Sequence, residues 1–308
     1  MIAIDLGSNT IRVVKWDCEE NKKVVEFEKI IKTADKLVET KKISSEAVER
    51  IIKAINEAKE KIGFDDKIIA VATEALRAAK NKDEVIKKIK EATGVEFKII
   101  SSDEEAKYVA LAVENCLNRC GYDAREFFLV DIGGGSTELI LKHKDVILSK
   151  SYKIGIVTFT QKYKTPEAIK IAVKKEVAKF KDFIDFAFSA YKKPKIFTAS
   201  SGTPTTIAAL KKGMNYKTYD PEKINGTVIT PEDLDYWMDK LLKMEMKKRE
   251  ELVGVGRGDL IVSGIMIFKE IFKITKYKEC VVCDDGVREG VAIEACKIGY
   301  NSSKKGDI

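Results

Sequence analysis

The stretch DLGSNTIRVV at positions 5–14 returns in altered form as DIGGGSTELI at positions 131–140. Each copy has an Asp, a Gly two positions later, a hydroxyl residue and a second apolar run. A strand that ends in Asp-x-Gly and turns directly into another strand leaves backbone N–H groups that no side chain crowds. Such a turn can hold phosphate oxygens, and the Ser or Thr hydroxyl adds a donor. Because the pattern occurs twice, it favours phosphate binding over an ordinary hairpin.

The repetition extends beyond these ten residues. The runs MIAIDLG, RVVKWDC and KVVEFEKIIK predict three strands joined by short turns, and the segment at positions 125–155 repeats that order. Strand patterns alternating with helical patterns follow in both halves, which predicts an α/β fold. We therefore expect two similar domains, residues 1–122 and 123–308, with the last helix a candidate to pack back on the first domain.

The bulk composition suits a folded protein with an anionic ligand. Of 308 residues, 44% are apolar, and 56 basic against 49 acidic side chains leave a net charge of +7. The basic runs interleave with apolar residues at helical spacing, so we interpret them as solvated helix faces and expect no nucleic-acid partner. No apolar run approaches the roughly 20 residues that cross a bilayer, so we expect no membrane partner and a cytoplasmic location.

The cysteines and two short motifs are assigned structural roles. Six cysteines are sparse for the length, and we predict that all are reduced thiols: Cys18, Cys116, Cys120, Cys280, Cys283 and Cys296. The Cys280–Cys283 spacing has no second pair with zinc-ligand spacing, so both are expected to be buried strand thiols. The single histidine, His143, is expected at the surface, and the Arg-Gly-Asp tripeptide at 257–259 is expected to cap a helix starting near Asp259.

Seven segments stand in an order that is similar to that of a known family: DLGSNT, ATEALRAAKN, EEAKYVALAV, VDIGGGSTEL, SSGTPTTIAAL, RGDLIVSGI and DDGVREG. With them the chain resembles the exopolyphosphatase/guanosine pentaphosphatase (Ppx/GppA) family in its short two-domain form. That family lies within the actin-like, sugar-kinase and heat-shock ATPase superfamily. The resemblance runs from Met1 to about Cys296. It implies two ribonuclease-H-like (actin-like ATPase) domains with an interdomain cleft that holds a phosphate chain.

The same resemblance implies the catalytic groups. It places Glu105 as the general base that deprotonates the attacking water, a role open to a carboxylate. The adjacent Glu104 stays open as the alternative. Neighbouring helix positions point about 100° apart, so only one of the two glutamates can face the cleft. Arg77 matches an arginine that contacts the terminal phosphoryl group through its planar fork.

The metal and phosphate ligands follow from the same motifs. Asp131 and Glu138, with Asp5 as a further candidate, match carboxylates suited to Mg²⁺. The phosphate contacts are predicted at the two turns and at a third strand-to-helix turn: Gly7, Ser8, Asn9, Thr10, Gly133, Gly134, Gly135, Ser136, Thr137, Gly202 and Thr203.

The function implied by the resemblance is Mg²⁺-assisted hydrolysis of the terminal phosphoanhydride of inorganic polyphosphate. Three alternatives stay open: hydrolysis of guanosine pentaphosphate to the tetraphosphate, a non-catalytic sensor that binds guanosine tetraphosphate or polyphosphate, and a kinase of the same superfamily. The pairing of GSNT with EEAK argues against the kinase. The resemblance also implies a homodimer, which no feature of the sequence itself indicates.

Overall fold

The computed structural model describes the backbone of residues 1–303 and the side chains of residues 1–297. The polar tail after Tyr300, predicted to fray, lies outside the described side chains. The chain forms two compact units: unit 1 comprises Met1–Ala112 and the residues from Asp285 onward, and unit 2 comprises Val113–Asp284. The sequence-based ranges 1–122 and 123–308 differ from these units at both boundaries and stay a prediction.

Unit 1 contains a five-stranded mixed sheet. Its order is β3-β2-β1-β4-β5, with β1–β2 and β2–β3 antiparallel and β1–β4 and β4–β5 parallel. The predicted three-strand opening is thereby confirmed. The strands are β1 (Ile2–Leu6), β2 (Thr10–Asp17), β3 (Lys22–Ile30), β4 (Ile68–Ala72) and β5 (Phe97–Ile99). Central β1 is apolar apart from Asp5 because strands pair with it on both edges and its four other residues are buried.

The helices of this unit follow their sequence signals. They are α1 (Leu37–Thr40), α2 (Ser45–Ile62), α3 (Glu74–Ala78), α4 (Lys82–Thr93) and α5 (Ser102–Arg119), the last of which continues into unit 2. Ser44 caps α2 by accepting a hydrogen bond from the Ala47 N–H, and Ser is a residue type favoured at this position. The first turn of α3 directly follows β4, which brings Arg77 to the carboxyl end of the sheet.

Unit 2 repeats the same strand order and adds one strand. Its sheet runs β10-β11-β9-β6-β7-β8, with β6–β7 and β7–β8 antiparallel and β6–β9 and β9–β11 parallel. The strands are β6 (Glu126–Ile132), β7 (Thr137–His143), β8 (Val146–Tyr152), β9 (Ile196–Ser200), β10 (Thr227–Ile229) and β11 (Cys280–Val282). The helices are α6 (Ile156–Tyr163), α7 (Pro166–Val177), α8 (Phe180–Tyr191), α9 (Gly202–Lys211), α10 (Pro221–Ile224), α11 (Pro231–Leu242), α12 (Met246–Val253) and α13 (Gly258–Thr275).

The last helix, α14 (Val287–Ser303), belongs to unit 1 and packs on β1 and β2. A Cβ at Gly290 would stand 1.9 Å from the Tyr108 carbonyl oxygen, so only glycine allows α14 this close to α5. Near its other end, Cys296 forms a disulfide with Cys18. The prediction of six reduced thiols is therefore wrong for this pair, because the fold brings together residues separated by 278 positions.

The other four cysteines form no disulfide in the part of the chain that the structure describes, as predicted. Cys280 and Cys283 are buried free thiols, and burial raises the pKa of Cys280. Cys116 is also buried, whereas Cys120 is partly accessible. Among the helices that the structure describes, none is both long and apolar enough to cross a bilayer.

Candidate functional site

A hydrogen bond within the turn closes the turn between β1 and β2. The Gly7 N–H donates to the Thr10 carbonyl over 3.0 Å. The turn carbonyls are occupied by the chain that follows β3: the Ser8 carbonyl accepts from Ala34 N–H at 2.8 Å, and the Asn9 carbonyl accepts from the N–H groups of residues 31 and 32, both at 2.9 Å. Hence the carbonyl oxygens of the turn, which would repel an anion, accept hydrogen bonds from the protein's own backbone.

The turn between β6 and β7 has the same construction. The Gly133 N–H donates to the Ser136 carbonyl over 2.9 Å. The Gly133 and Gly134 carbonyls accept from the first N–H groups of α6 at 3.0 and 2.8 Å. A Cβ at Gly155 would lie 2.3 Å from the Gly134 oxygen, so the chain entering α6 presses directly on the turn.

Both turns keep their N–H groups available for an anion. Among the described residues, the N–H groups of Ser8, Asn9, Gly134 and Gly135 have no protein acceptor. Successive free N–H groups at a turn form a concave donor site suited to phosphate oxygens. The hydroxyl of Thr137, by contrast, donates inward to the Ile154 carbonyl at 2.5 Å. The geometry thus suits the predicted backbone contacts, while the Thr137 hydroxyl is already used by the fold.

Two buried acids stand beside the second turn. Asp131 and Glu138 are directly opposite in the antiparallel β6–β7 register, with exposures of 6% and 2%, so their side chains share one face of the sheet. Ser151 donates to Glu138 at 2.7 Å, and the Ser201 hydroxyl donates to Asp131. Two acidic side chains on one face beside the turn are the kind of oxygen ligands that a hard cation prefers.

Asp131 and Glu138 suit a Mg²⁺ site, because the protein usually supplies few of the ligands of this ion. Mg²⁺ is usually held by one or two carboxylates, with water and substrate phosphates completing its octahedron. Among the described residues there is no cluster of three or more His, Cys, Asp or Glu that could enclose a metal. Asp131 and Glu138 therefore fit Mg²⁺ if the other ligands are water and phosphate oxygens.

The first turn differs from the second at the corresponding position. Asp5 lies opposite Arg12 in the β1–β2 register, and Arg12 is 126 residues before Glu138, the same spacing that separates Asp5 from Asp131. The Arg12 Nε also stands 3.1 Å from Glu28 Oε2. The first turn therefore has one acidic residue at this register position where the second turn has two, which makes Asp5 a weaker metal candidate than the second pair.

Glu104 and Glu105 have different surroundings. Glu104 forms a capping box at the start of α5: its carboxylate accepts from Ser101 N–H at 2.9 Å, and Ser101 Oγ accepts from Glu104 N–H at 3.1 Å. Lys98 Nζ lies 2.6 Å from the same carboxylate, and this bond lowers the pKa of Glu104. Glu105 is instead buried, with 7% exposure, and accepts from Arg77 Nη2 at 2.9 Å.

Arg77 is held by three acceptors. Its Nε donates to Glu74 at 3.0 Å, Nη1 donates to the Ile100 carbonyl at 2.7 Å, and Nη2 donates to Glu105. Burial alone would lower the pKa of Arg77, but the negative charges of Glu105 and Glu74 outweigh burial and raise it. Nη2 also lies 3.0 Å from Glu74, so of the five N–H donors of an arginine one, on Nη1, stays available for a phosphoryl group. Arg77 thus fixes Glu105 in place, a contact that the sequence did not suggest.

The third predicted turn, at the start of α9, is supported by an arginine that the sequence analysis missed. Arg257 Nη2 donates to the Gly202 carbonyl at 2.9 Å and lies 3.3 Å from Thr206 Oγ1. α13 begins at Gly258 and Arg257 provides no side-chain cap, so the expected capping role of the Arg-Gly-Asp tripeptide is wrong. Thr203 is fully buried against Gly264, where an added Cβ would meet its hydroxyl at 1.9 Å. The motif RGDLIVSGI contains both Arg257 and Gly264, so it was the sequence signal from which these two contacts could have been found.

Comparison with known proteins gives a consistent family assignment. The model of the Ppx/GppA phosphatase family matches residues 13–297. A bifunctional 3-dehydroquinate synthase/phosphatase of Fusobacterium nucleatum is 30% identical over 293 residues, and the match covers 87% of this chain but only 42% of that protein. Exopolyphosphatase 2 of Mycobacterium tuberculosis is 24% identical over 94% of this chain and 97% of its own. The crystal structure of the Aquifex aeolicus member of the Ppx/GppA family matches with a TM-score of 0.72 and 29% identity, covering 97% of each chain.

Proposed function

The chain belongs to the Ppx/GppA phosphatase family, and from this premise we propose that it hydrolyses the terminal phosphoanhydride of inorganic polyphosphate. The observation that carries the proposal is the buried Glu105 carboxylate, which Arg77 holds at 2.9 Å. A buried carboxylate held in one position by a guanidinium can serve as an oriented proton acceptor for water. The fold family is the two-domain actin-like ATPase fold, whose repeated turns supply the phosphate-binding backbone groups described above.

In the proposed reaction, water attacks the terminal phosphorus and Glu105 takes its proton. The P–O bond to the rest of the chain breaks, orthophosphate is released, and the shortened polyphosphate departs as an anion. Glu105 then returns its proton to solvent. Arg77 orients Glu105 and offers its remaining Nη1 donor to the phosphoryl oxygens. In unit 2, the free N–H groups of the Gly133–Ser136 turn are further donors suited to phosphate oxygens. Asp131 and Glu138 would hold Mg²⁺, which supplies positive charge to the phosphate oxygens when bound.

The two adjacent glutamates allow a matched test. We would measure phosphate release with Mg²⁺ from long-chain polyphosphate, using the wild-type protein, Glu105→Gln and Glu104→Gln. Loss of a general base lowers turnover by roughly a hundredfold or more, so Glu105→Gln should be nearly inactive while still binding polyphosphate. Glu104→Gln should keep most activity, because Glu104 serves the helix cap.

The same assay separates the alternatives. Guanosine pentaphosphate, measured at equal concentration, would identify an alarmone phosphatase if it were hydrolysed faster than polyphosphate. Binding of either compound without phosphate release would indicate a sensor. If Glu104→Gln lost activity while Glu105→Gln kept it, the assignment of the base would be reversed.

A further inference from the structure

We propose that residues 31–42 of unit 1, here called the post-β3 segment, form an anion subsite next to the first turn. This subsite would bind inner phosphates of a polyphosphate chain. The inference rests on the proposed function for its ligand, but its evidence is separate from the catalytic residues. It depends on where the segment lies, on which of its charges are paired and on one buried threonine.

The segment is fixed beside the first turn by its backbone. Its first residues donate to the Asn9 carbonyl, and Ala34 N–H donates to the Ser8 carbonyl. From the other side, Arg50 Nε donates to the Ile31 carbonyl at 2.7 Å and Nη2 donates to the Lys32 carbonyl at 3.2 Å. An anion on the free N–H groups of Ser8 and Asn9 is therefore bound next to Lys32.

The charge of the segment is mostly unpaired and positive. Its four lysines are exposed, and in the described part of the chain none has an acidic group within ion-pair distance: Lys32, Lys36, Lys41 and Lys42. Elsewhere in unit 1, Lys15, Lys29 and Lys98 all have acidic partners at 2.9 Å or less. Of the two acids in the segment, Asp35 lies 3.8 Å from Arg50. A run of unpaired lysines attracts a polyanion, and the attraction weakens with salt.

Thr33 supplies donors that the fold leaves unused. Its side chain is 0% exposed, and within the described residues its hydroxyl has no hydrogen-bond partner. Its backbone N–H also has no acceptor in the described chain. Buried polar groups without partners are rare, because each loses its hydrogen bonds to water without a replacement. A phosphate oxygen, reached by a small shift of the segment or through a bridging water, would satisfy both donors.

Lysines with a similar backbone angle elsewhere in the chain provide positions for matched control variants. Lys32 and Lys36 have positive φ angles of 51° and 56°, as do Lys192 and Lys276 of unit 2, with φ of 63° and 58°. Because lysines with a positive φ occur in both units, this backbone angle is not itself evidence for a site. Glycine accepts this conformation without strain, so Lys→Gly at any of these positions removes a charge at little cost to stability.

The test is polyphosphate binding measured in the Glu105→Gln background, where little substrate is consumed. Lys32→Gly/Lys36→Gly should weaken binding of long-chain polyphosphate on the order of tenfold at low salt, because two cations are lost. The dependence of the affinity on salt should become shallower. The control Lys192→Gly/Lys276→Gly, with the same net charge, should bind within about twofold of the parent. Unfolding temperatures of both double variants should match that of the parent or exceed it.

Two further measurements test the subsite directly. Thr33→Val should weaken binding severalfold without lowering stability, since it removes a hydroxyl that has no partner in the protein. Polyphosphate should also protect Lys32 and Lys36, but not Lys192 and Lys276, from amine acetylation followed by mass spectrometry. Equal binding by the two double variants, or equal protection of the two lysine pairs, would overturn the subsite even if the enzyme is active. Selective loss of binding in a protein that releases no phosphate would leave the subsite standing and remove the proposed function.

Discussion

Replacing Arg77 by methionine tests how the fold positions the proposed base. Arg77 and Glu105 have side-chain exposures of 20% and 10%, and Arg77 makes all three of its hydrogen bonds to protein acceptors. Removing one partner of a buried ion pair strands the other charge, which costs about 3–5 kcal/mol for a fully buried pair. Because Arg77 keeps some exposure, we expect about 3 kcal/mol for Arg77→Met. The ionised form of Glu105 also loses its stabilising charge, so activity should require a higher pH.

Chemical denaturation and a pH–rate profile of phosphate release measure the two effects separately. The double variant Arg77→Met/Glu105→Gln should recover most of the lost stability, because it leaves no stranded charge, yet it should stay inactive. Arg125→Met is the control, since Arg125 pairs with Asp123 at the surface with 80% and 61% exposure and its loss should leave stability nearly unchanged. If the double variant were no more stable than Arg77→Met, or if the acidic limb of the profile did not move, the pairing would not be what holds the base.

Three further predictions concern other parts of unit 1 and unit 2. Glu104→Ala should cost about 1 kcal/mol through loss of the capping box. Since Lys98 lowers the pKa of Glu104, its stabilisation is present above the unfolded-state pKa and is lost as pH falls through the folded-state pKa, so acid titrations of unfolding should become less steep in the variant. Glu138→Gln should raise the Mg²⁺ concentration needed for half-maximal activity about tenfold or more, and direct Mg²⁺ titration by calorimetry should show weaker binding; unchanged affinity would exclude Glu138 as a ligand. Non-reducing peptide mapping should recover Cys18 linked to Cys296, and Cys18→Ser or a reductant should lower stability by about 2–4 kcal/mol, whereas two free thiols in the oxidised protein would contradict the pairing.

The strands and turns could be predicted because their signals are local. Alternating apolar runs and Asp-x-Gly turns fix β1, β2 and their counterparts β6 and β7 without information from elsewhere in the chain. The distinction between Glu104 and Glu105 was also partly available: Ser101 followed by Glu104 has the spacing of a capping box, which assigns Glu104 to the helix end.

Contacts between distant segments could not be predicted in this way. The Cys18–Cys296 disulfide depends on packing across the chain, because spacing alone does not determine cysteine connectivity. The packing of α14 on the first unit, by contrast, agrees with the expectation for the last helix. The contact of Arg257 with Gly202 likewise joins residues 55 positions apart. Its motif marked the region as important, but only the three-dimensional fold shows that the guanidinium supports the turn before α9.

The two copies of the opening motif share a backbone but differ in charge. In both, the chain after the third strand binds the turn carbonyls and leaves N–H groups free, so each copy alone can bind an anion. Across from Asp5 stands Arg12, whereas across from Asp131 stands Glu138. The first copy thus has a basic residue where the second has a carboxylate, so only the second places two acidic groups directly opposite each other. We therefore expect both turns to contact phosphate and only the second to hold a metal ion.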